Sequence, residues 1–201
     1  MRTNAGRCEP GTGLKDLDGA AFRADLDALM SVYQAAMGVA AIQLPGRRSI
    51  MEAHLANPGF RAIAVTAPRG TAGSPGPVIA FAYGFHGDRG QWWHDLVCAA
   101  LTVKSGSAAV TQWLGDSFEV AELHVLPAYQ RHGIGRRLLY GLTGDRPERT
   151  AVLSTMDANS PARKLYRSAG FTDLLTDYRF SGAPVPYAVM GAALPLTCAA
   201  P

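Results

Sequence analysis

The chain has 201 residues, 48% hydrophobic and 17% charged, which suits one domain with a substantial core. No apolar run approaches the ~18 residues of a membrane span, and the opening MRTNAGRCEPGTG lacks the apolar centre of a secretory signal, so a cytoplasmic protein with no membrane partner is expected. The net charge is only +3 and the basic residues are scattered, which is not the concentrated stripe of a nucleic-acid binder. Cys8, Cys98 and Cys198 are far apart and odd in number, so neither a disulfide framework nor a metal site is expected.

In chain order, residues 1–15 read as a flexible, Gly-rich segment ahead of a single domain over 16–201. A helix is predicted from Asp18, with Phe22, Leu26, Leu29, Tyr33 and Met37 at helical spacing, Asp18 as cap and Gly38 as stop. A second short helix is predicted over Ser49–Ala56, closed by Asn57-Pro58-Gly59. Phe60–Thr66 and Val78–Phe85 read as a strand hairpin joined by the loop PRGTAGSPGP.

Residues 87–116 form a long insert, with short helices predicted near 94–103 and 107–114. Phe118–Val125 reads as a strand broken by Pro127, and a helix opens at Gly133 and runs through Leu142. A strand at Ala151–Thr155, a helix at Ser160–Ala169 with Pro161 in its first turn, and strands at Phe171–Phe180 and Tyr187–Leu194 complete the pattern. This order predicts a mixed sheet flanked by helices, in the α/β (α+β) class.

The segment QRHGIGRR, from Gln130 to Arg137, sits where a strand hands over to a helix. Two bare glycines and a helix N-terminus make an anion cradle: backbone N–H groups point outward, the helix dipole favours negative charge, and absent Cβ atoms allow close approach. No Lys-Ser/Thr pair completes a P-loop, and Leu138 stands where a dinucleotide fingerprint needs a third glycine.

The stretch FEVAELHVLPAYQRHGIGRRLL resembles the acetyl-CoA-binding motif of the GNAT N-acetyltransferase superfamily, with Gln130, Gly133 and Gly135 in its Gln/Arg-x-x-Gly-x-Gly/Ala pattern. Downstream, NSPARKLYRSAGF resembles a second motif of that family through Asn159, Ala162, Tyr166 and Gly170-Phe171. One departure is Arg131, in a slot where many members carry glycine.

The resemblance implies a mostly antiparallel sheet in which two parallel strands splay around acetyl-CoA, here 118–125 and 151–155. It implies that backbone groups of Leu123 and Val125 bind the pantetheine arm, and that Arg131, His132, Gly133, Ile134, Gly135 and Arg136 offer N–H groups to the pyrophosphate beside Gln130. Asn159 would contact the cofactor or cap the following helix, with Ser160 competing for the cap. Tyr166 would be the general acid. Glu119 and Glu122 are alternative general bases; on a regular strand they face opposite ways, unless a β-bulge intervenes. His124 is a third candidate, against the plainer role of a half-buried imidazole. In the insert, Trp92 and Trp93 either wall the acceptor pocket or anchor the loop to the core.

The implied function is acetyl transfer from acetyl-CoA to a primary amine of a small molecule or peptide by direct attack, with no nucleic-acid partner. The last strand and the insert are the two candidate surfaces for a homodimer, a state common in the superfamily, and the sequence does not set the oligomeric state. The alternative is a non-catalytic acyl-CoA-binding module.

Overall fold

The computed structural model describes residues 13–67 and 76–196. Its centre is a seven-stranded sheet: β1 (Gly13–Leu17), β2 (Arg61–Thr66), β3 (Val78–Gly87), β4 (Ser117–Val125), β5 (Thr150–Met156), β6 (Thr172–Tyr178) and β7 (Tyr187–Ala193). The spatial order is β1-β2-β3-β4-β5-β7-β6. Every neighbouring pair is antiparallel except β4 and β5, which are parallel. The expected mixed, mostly antiparallel sheet is present.

The N-terminal boundary differs from the expectation. Residues 13–15 belong to β1, which pairs with β2 from Gly13↔Thr66 to Leu17↔Ala62, so the flexible segment cannot extend to residue 15. Residues 1–12, with Cys8, and residues 197–201, with Cys198, lie outside the described residues, as do positions 68–75 of the predicted hairpin loop.

The first predicted helix is two: α1 (Gly19–Ala24) and α2 (Leu26–Met37). Asp18 caps α1, its Oδ1 accepting from the Ala21 N–H at 2.8 Å. Gly38 ends α2 in the left-handed region, φ 65°. The next helix, α3 (Leu44–His54), starts earlier than predicted because Pro45 occupies its first turn. The insert folds as α4 (Trp92–Ser105) and α5 (Ser107–Leu114), hinged at Gly106 with φ 81°. The remaining helices are α6 (Ile134–Thr143) and α7 (Pro161–Ser168).

The helices α1–α3 cover one face of the sheet, packing Phe22, Leu26, Leu29 and Met51 on Phe81, Tyr83 and Phe85. The helices α4 and α5 continue that layer over Val152, Leu174 and Val189. On the opposite face, α6 and α7 bury Leu138, Leu139, Leu142 and Tyr166 against Ile63, Ala82, Val120 and Leu153. Met37 departs from the predicted core stripe and is 41% exposed.

The register between β3 and β4 slips: Tyr83 pairs with Glu122 but Gly84 with Val120, so Ala121 is an extra residue. This bulge turns Glu119, opposite Phe85, and Glu122, opposite Tyr83, onto the same face of the sheet. Gly84 permits it: a Cβ there would strike the Glu119 carbonyl and come within 2.6 Å of the Phe118 ring. Gly84→Ala is therefore expected to destabilise the fold by about 1–3 kcal/mol. Urea unfolding of the variant beside the wild type checks this.

Candidate active site

Parallel pairing of β4 with β5 covers only Ser117↔Thr150, Phe118↔Ala151 and Glu119↔Val152. Beyond Glu119 the strands part. On the other side of β4 the Leu126 N–H donates to the Ile79 carbonyl at 2.9 Å. Peptide groups alternate in direction along a strand, so those of Leu123 and Val125 turn away from β3, toward the gap. The gap opens into a cleft of ≈ 1280 Å³ lined by Glu119–Val125, by the loop after β4 and by α2, α3, α4 and α7.

The loop leaving β4 forms a single 3₁₀ turn, Pro127–Tyr129. Gln130 Nε2 then donates to the Val125 carbonyl at 3.0 Å, tying the loop to the strand end. Arg131 has φ 68° and Gly133 φ 75°, both left-handed. Arg131 thus adopts the conformation that glycine would favour, at a cost of about 1–2 kcal/mol for a residue with a Cβ. Gly135 serves close approach: a Cβ there would lie 3.2 Å from Leu165 Cδ2 of α7. Gln130, Arg131, Gly133, Gly135 and Arg136 line the cleft, and Arg136 donates to Ser168 Oγ at 2.9 Å.

His132 and Ile134 do not line it; Ile134 packs in the core, leaving only their backbone N–H groups to serve the cradle. Asn159 is exposed and outside the cleft. The cap of α7 falls to Ser160, whose Oγ accepts from the Arg163 N–H at 3.2 Å.

The two carboxylates on the shared face have opposite surroundings. Glu122 is buried, bonded to His124 Nε2 and paired with Arg47 at 2.9 Å. Burial opposes its ionisation, but His124 and Arg47 outweigh burial and hold its carboxyl below the usual range. Glu119 is 6% exposed, and its Oε2 has no hydrogen-bond partner among the described residues. Burial first, and then the Glu122 charge, push its pKa up to about 8. Tyr166 also lines the cleft, and burial raises its hydroxyl well above the usual tyrosine range, so it carries a proton at neutral pH.

Sequence reasoning missed the frame around these groups. The Arg47 guanidinium lies 5.2 Å from the Tyr33 ring centroid and donates to the Tyr33 hydroxyl at 3.3 Å. Tyr33 and Phe81 pack against the His124 ring at 5.1 and 5.5 Å. Tyr83 and His54 are hydrogen-bonded at 3.0 Å, and burial lowers the His54 imidazole below its usual range. These residues come from α2, α3 and β3, and no local motif announces them. Arg163, buried on α7, pairs with Asp157 and, at 2.7 Å, with Asp173, fixing α7 to the sheet.

Both tryptophans line the cleft in different ways. Trp93 is half-buried and donates from Nε1 to Ser154 Oγ at 3.1 Å, so it also anchors α4 to β5. Trp92 is 63% exposed and rests on Phe180, ring centroids 5.8 Å apart. No cluster of His, Cys, Asp or Glu able to hold a metal occurs among the described residues, and no described helix is long and apolar enough to cross a membrane.

Residues 91–173 match the acetyltransferase (GNAT) domain family. The matched segment runs from the start of α4 through β4, the glycine turn, β5 and α7 into β6. It is 39% identical over 128 residues to the GCN5-like protein acetyltransferase Rv2170 of Mycobacterium tuberculosis (strain ATCC 25618 / H37Rv), a match covering 61% of this chain and 62% of that relative. The Salmonella typhimurium protein yncA, solved with its cofactor acetyl-CoA, shares the fold at TM-score 0.58 and 21% identity, over 94% of this chain and 97% of that one. The Escherichia coli ribosomal-protein-S18-alanine N-acetyltransferase does so at TM-score 0.58 and 18% identity, over 91% and 94%.

The raised pKa of Glu119 has a consequence for stability. Between the ordinary carboxylate value of 4.5 and about 8, the folded chain keeps a proton that the unfolded chain loses. Stability from this group is therefore full below pH ~4.5 and is lost as pH rises through about 8. Glu119→Gln removes that loss. The melting temperature of the variant, relative to the wild type, is expected to rise from pH 5 to pH 9; thermal melts across that range check it.

Proposed function

We propose that the protein is an acetyl-CoA-dependent N-acetyltransferase that moves an acetyl group to a primary amine of a small molecule or peptide by direct attack. The observation that carries this reading is the buried carboxyl of Glu119, whose Oε2 has no hydrogen-bond partner among the described residues, at the fork where β4 and β5 part. A protein amine is favoured as acceptor, because the 39%-identical relative is named a protein acetyltransferase. One acyltransferase domain, running from β1 to β7, would carry the activity.

The residues present fit acetyl-CoA. The glycine-bearing turn ahead of α6, with Arg131 and Arg136 on the cleft, suits a pyrophosphate. The peptide groups of Leu123 and Val125 suit a pantetheine arm lying in the gap as an extra strand. When bound, acetyl-CoA supplies an acetyl group activated as a thioester.

The chain's own part is positioning and proton movement. An alkylammonium such as that of lysine, with a pKa near 10.4, must lose a proton before its nitrogen can attack. Glu119 is the base in this reading, since its ionised form would lie buried beside Glu122 and gain by taking a proton. Glu122 is committed to Arg47 and His124, and so acts as a positioning residue that keeps Glu119 proton-hungry. The Val125 N–H faces the gap, where it can donate to the carbonyl oxygen as charge develops on it. Tyr166, which holds its proton firmly, returns one to the departing sulfur. C–N forms and C–S breaks; of the two protons the ammonium loses, one passes to Glu119 and the other, through water, replaces the proton that Tyr166 would give to the thiolate.

Tyr166→Phe is expected to lower kcat by about 10²-fold with acetyl-CoA affinity unchanged, measured by thiol release and calorimetry. In the wild type, kcat/KM should climb with pH through about 8, and Glu119→Gln should lose that limb. Gly135→Glu, which drives a side chain toward Leu165 and a charge into the cradle, should abolish acetyl-CoA binding in a folded protein. Saturable acetyl-CoA binding without thiol release from any amine would make the protein a binding module instead.

A further inference from the structure

The half of the cleft facing α2, α3 and α4 is apolar in a way that folding alone does not explain. Met37, Ile50 and Trp92 are 41%, 44% and 63% exposed, and all three line this cleft. They come from three different helices and are joined there by Phe180 and Tyr187. Large side chains left in water on several elements, yet facing one concavity, mark a surface that a ligand covers.

The charges of the cleft point the same way. Among the described residues that line it, the only acids are Glu119 and Glu122. Glu122 is already taken by Arg47 and His124, which leaves Glu119 for the reacting nitrogen. A second ammonium on the acceptor would find no carboxylate and would share the cleft with the Arg47 guanidinium. Leaving water without a partner costs an ammonium several kcal/mol. An exposed cation–π contact with Trp92 would return only about 0.5–1 kcal/mol.

We propose that the acceptor presents Glu119 with a single primary amine on an apolar, uncharged stem, the stem lying against Met37, Ile50 and Trp92. Acceptors carrying a second cation within the cleft are selected against. This rests on the N-acetyltransferase reading and narrows its substrate class. A lysine side chain or a peptide N-terminus meets the description when its neighbours are apolar, whereas a polyamine does not.

The test compares pentylamine with 1,5-diaminopentane, equal in length and differing in one terminal charge, by thiol release at saturating acetyl-CoA. The kcat/KM for pentylamine is expected to be higher by about tenfold or more, equivalent to about 1.4 kcal/mol. Ile50→Glu, which places a carboxylate on the stem wall, should narrow or invert that ratio by rescuing the diamine. Equal or better use of the diamine by the wild type overturns the inference while leaving acetyl transfer intact. An unchanged ratio in folded Ile50→Glu overturns the placement of the stem. Thiol release from neither of these amines nor from a peptide amine, with acetyl-CoA bound, overturns the transferase reading and this inference with it.

Discussion

The site depends on one extra residue in one strand. Ala121 interrupts the pairing of β4 with β3, and everything beyond it on β4 is turned over relative to a regular strand. Without the slip, Glu119 and Glu122 would face opposite sides of the sheet. With it, they share the face covered by α1–α3, alongside Tyr83, Phe85 and His124. The bulge also lies just past Glu119↔Val152, the last pair joining β4 to β5. Strand divergence and carboxylate placement thus share a structural origin. Gly84 sits opposite the bulge because no other side chain leaves room for the displaced Glu119 carbonyl.

Two glutamates three residues apart then receive opposite electrostatics. Glu122 is ionised at its own desolvation cost because Arg47 and His124 reach it. That fixed negative charge, added to burial, is what lifts Glu119. Environments that push neighbouring carboxyl groups apart are a general means of obtaining a base that works near neutral pH. Arg47 therefore matters to Glu119 through the charge it sustains on Glu122.

How much of this was legible in the sequence follows from the range of each interaction. The cradle and the α7 motif are local patterns, and QRHGIGRR and NSPARKLYRSAGF led directly to the glycine turn and to Tyr166. The strands that splay were placed to within a residue or two, since each is a short apolar run between breakers. The bulge could be raised only as an alternative, because nothing in FEVAELHV distinguishes a slipped register from a regular one. It is set by Gly84, more than thirty residues earlier. Arg131 stands in a glycine slot, and the structure shows it taking the glycine conformation rather than reshaping the loop. Asn159 was offered both a cofactor contact and a cap; Ser160 takes the cap because Pro161 fixes where the helix begins. Met37 had the spacing of a core residue, but it lies in the last turn of α2, which projects past the core into the cleft wall.

The same distinction divides the cleft by origin. Glu119, Glu122, the cradle and Tyr166 all fall within 91–173, the segment that matches the acetyltransferase domain family. Met37, Arg47, Ile50, His54 and Tyr83 lie before it, on α2, α3 and β3. The proposed chemistry therefore sits in the matched segment. Met37 and Ile50 of the surface that a substrate stem would touch, and the cation that sustains Glu122, come from outside it, while Trp92 lies at its first edge. A scaffold can hold its reaction fixed while its acceptor changes if the two are carried by different stretches of chain. In this chain the bulged β4 is where they meet: its backbone borders the gap between the splayed strands, and its side chains at 119, 122 and 124 turn toward the helices proposed to choose the acceptor.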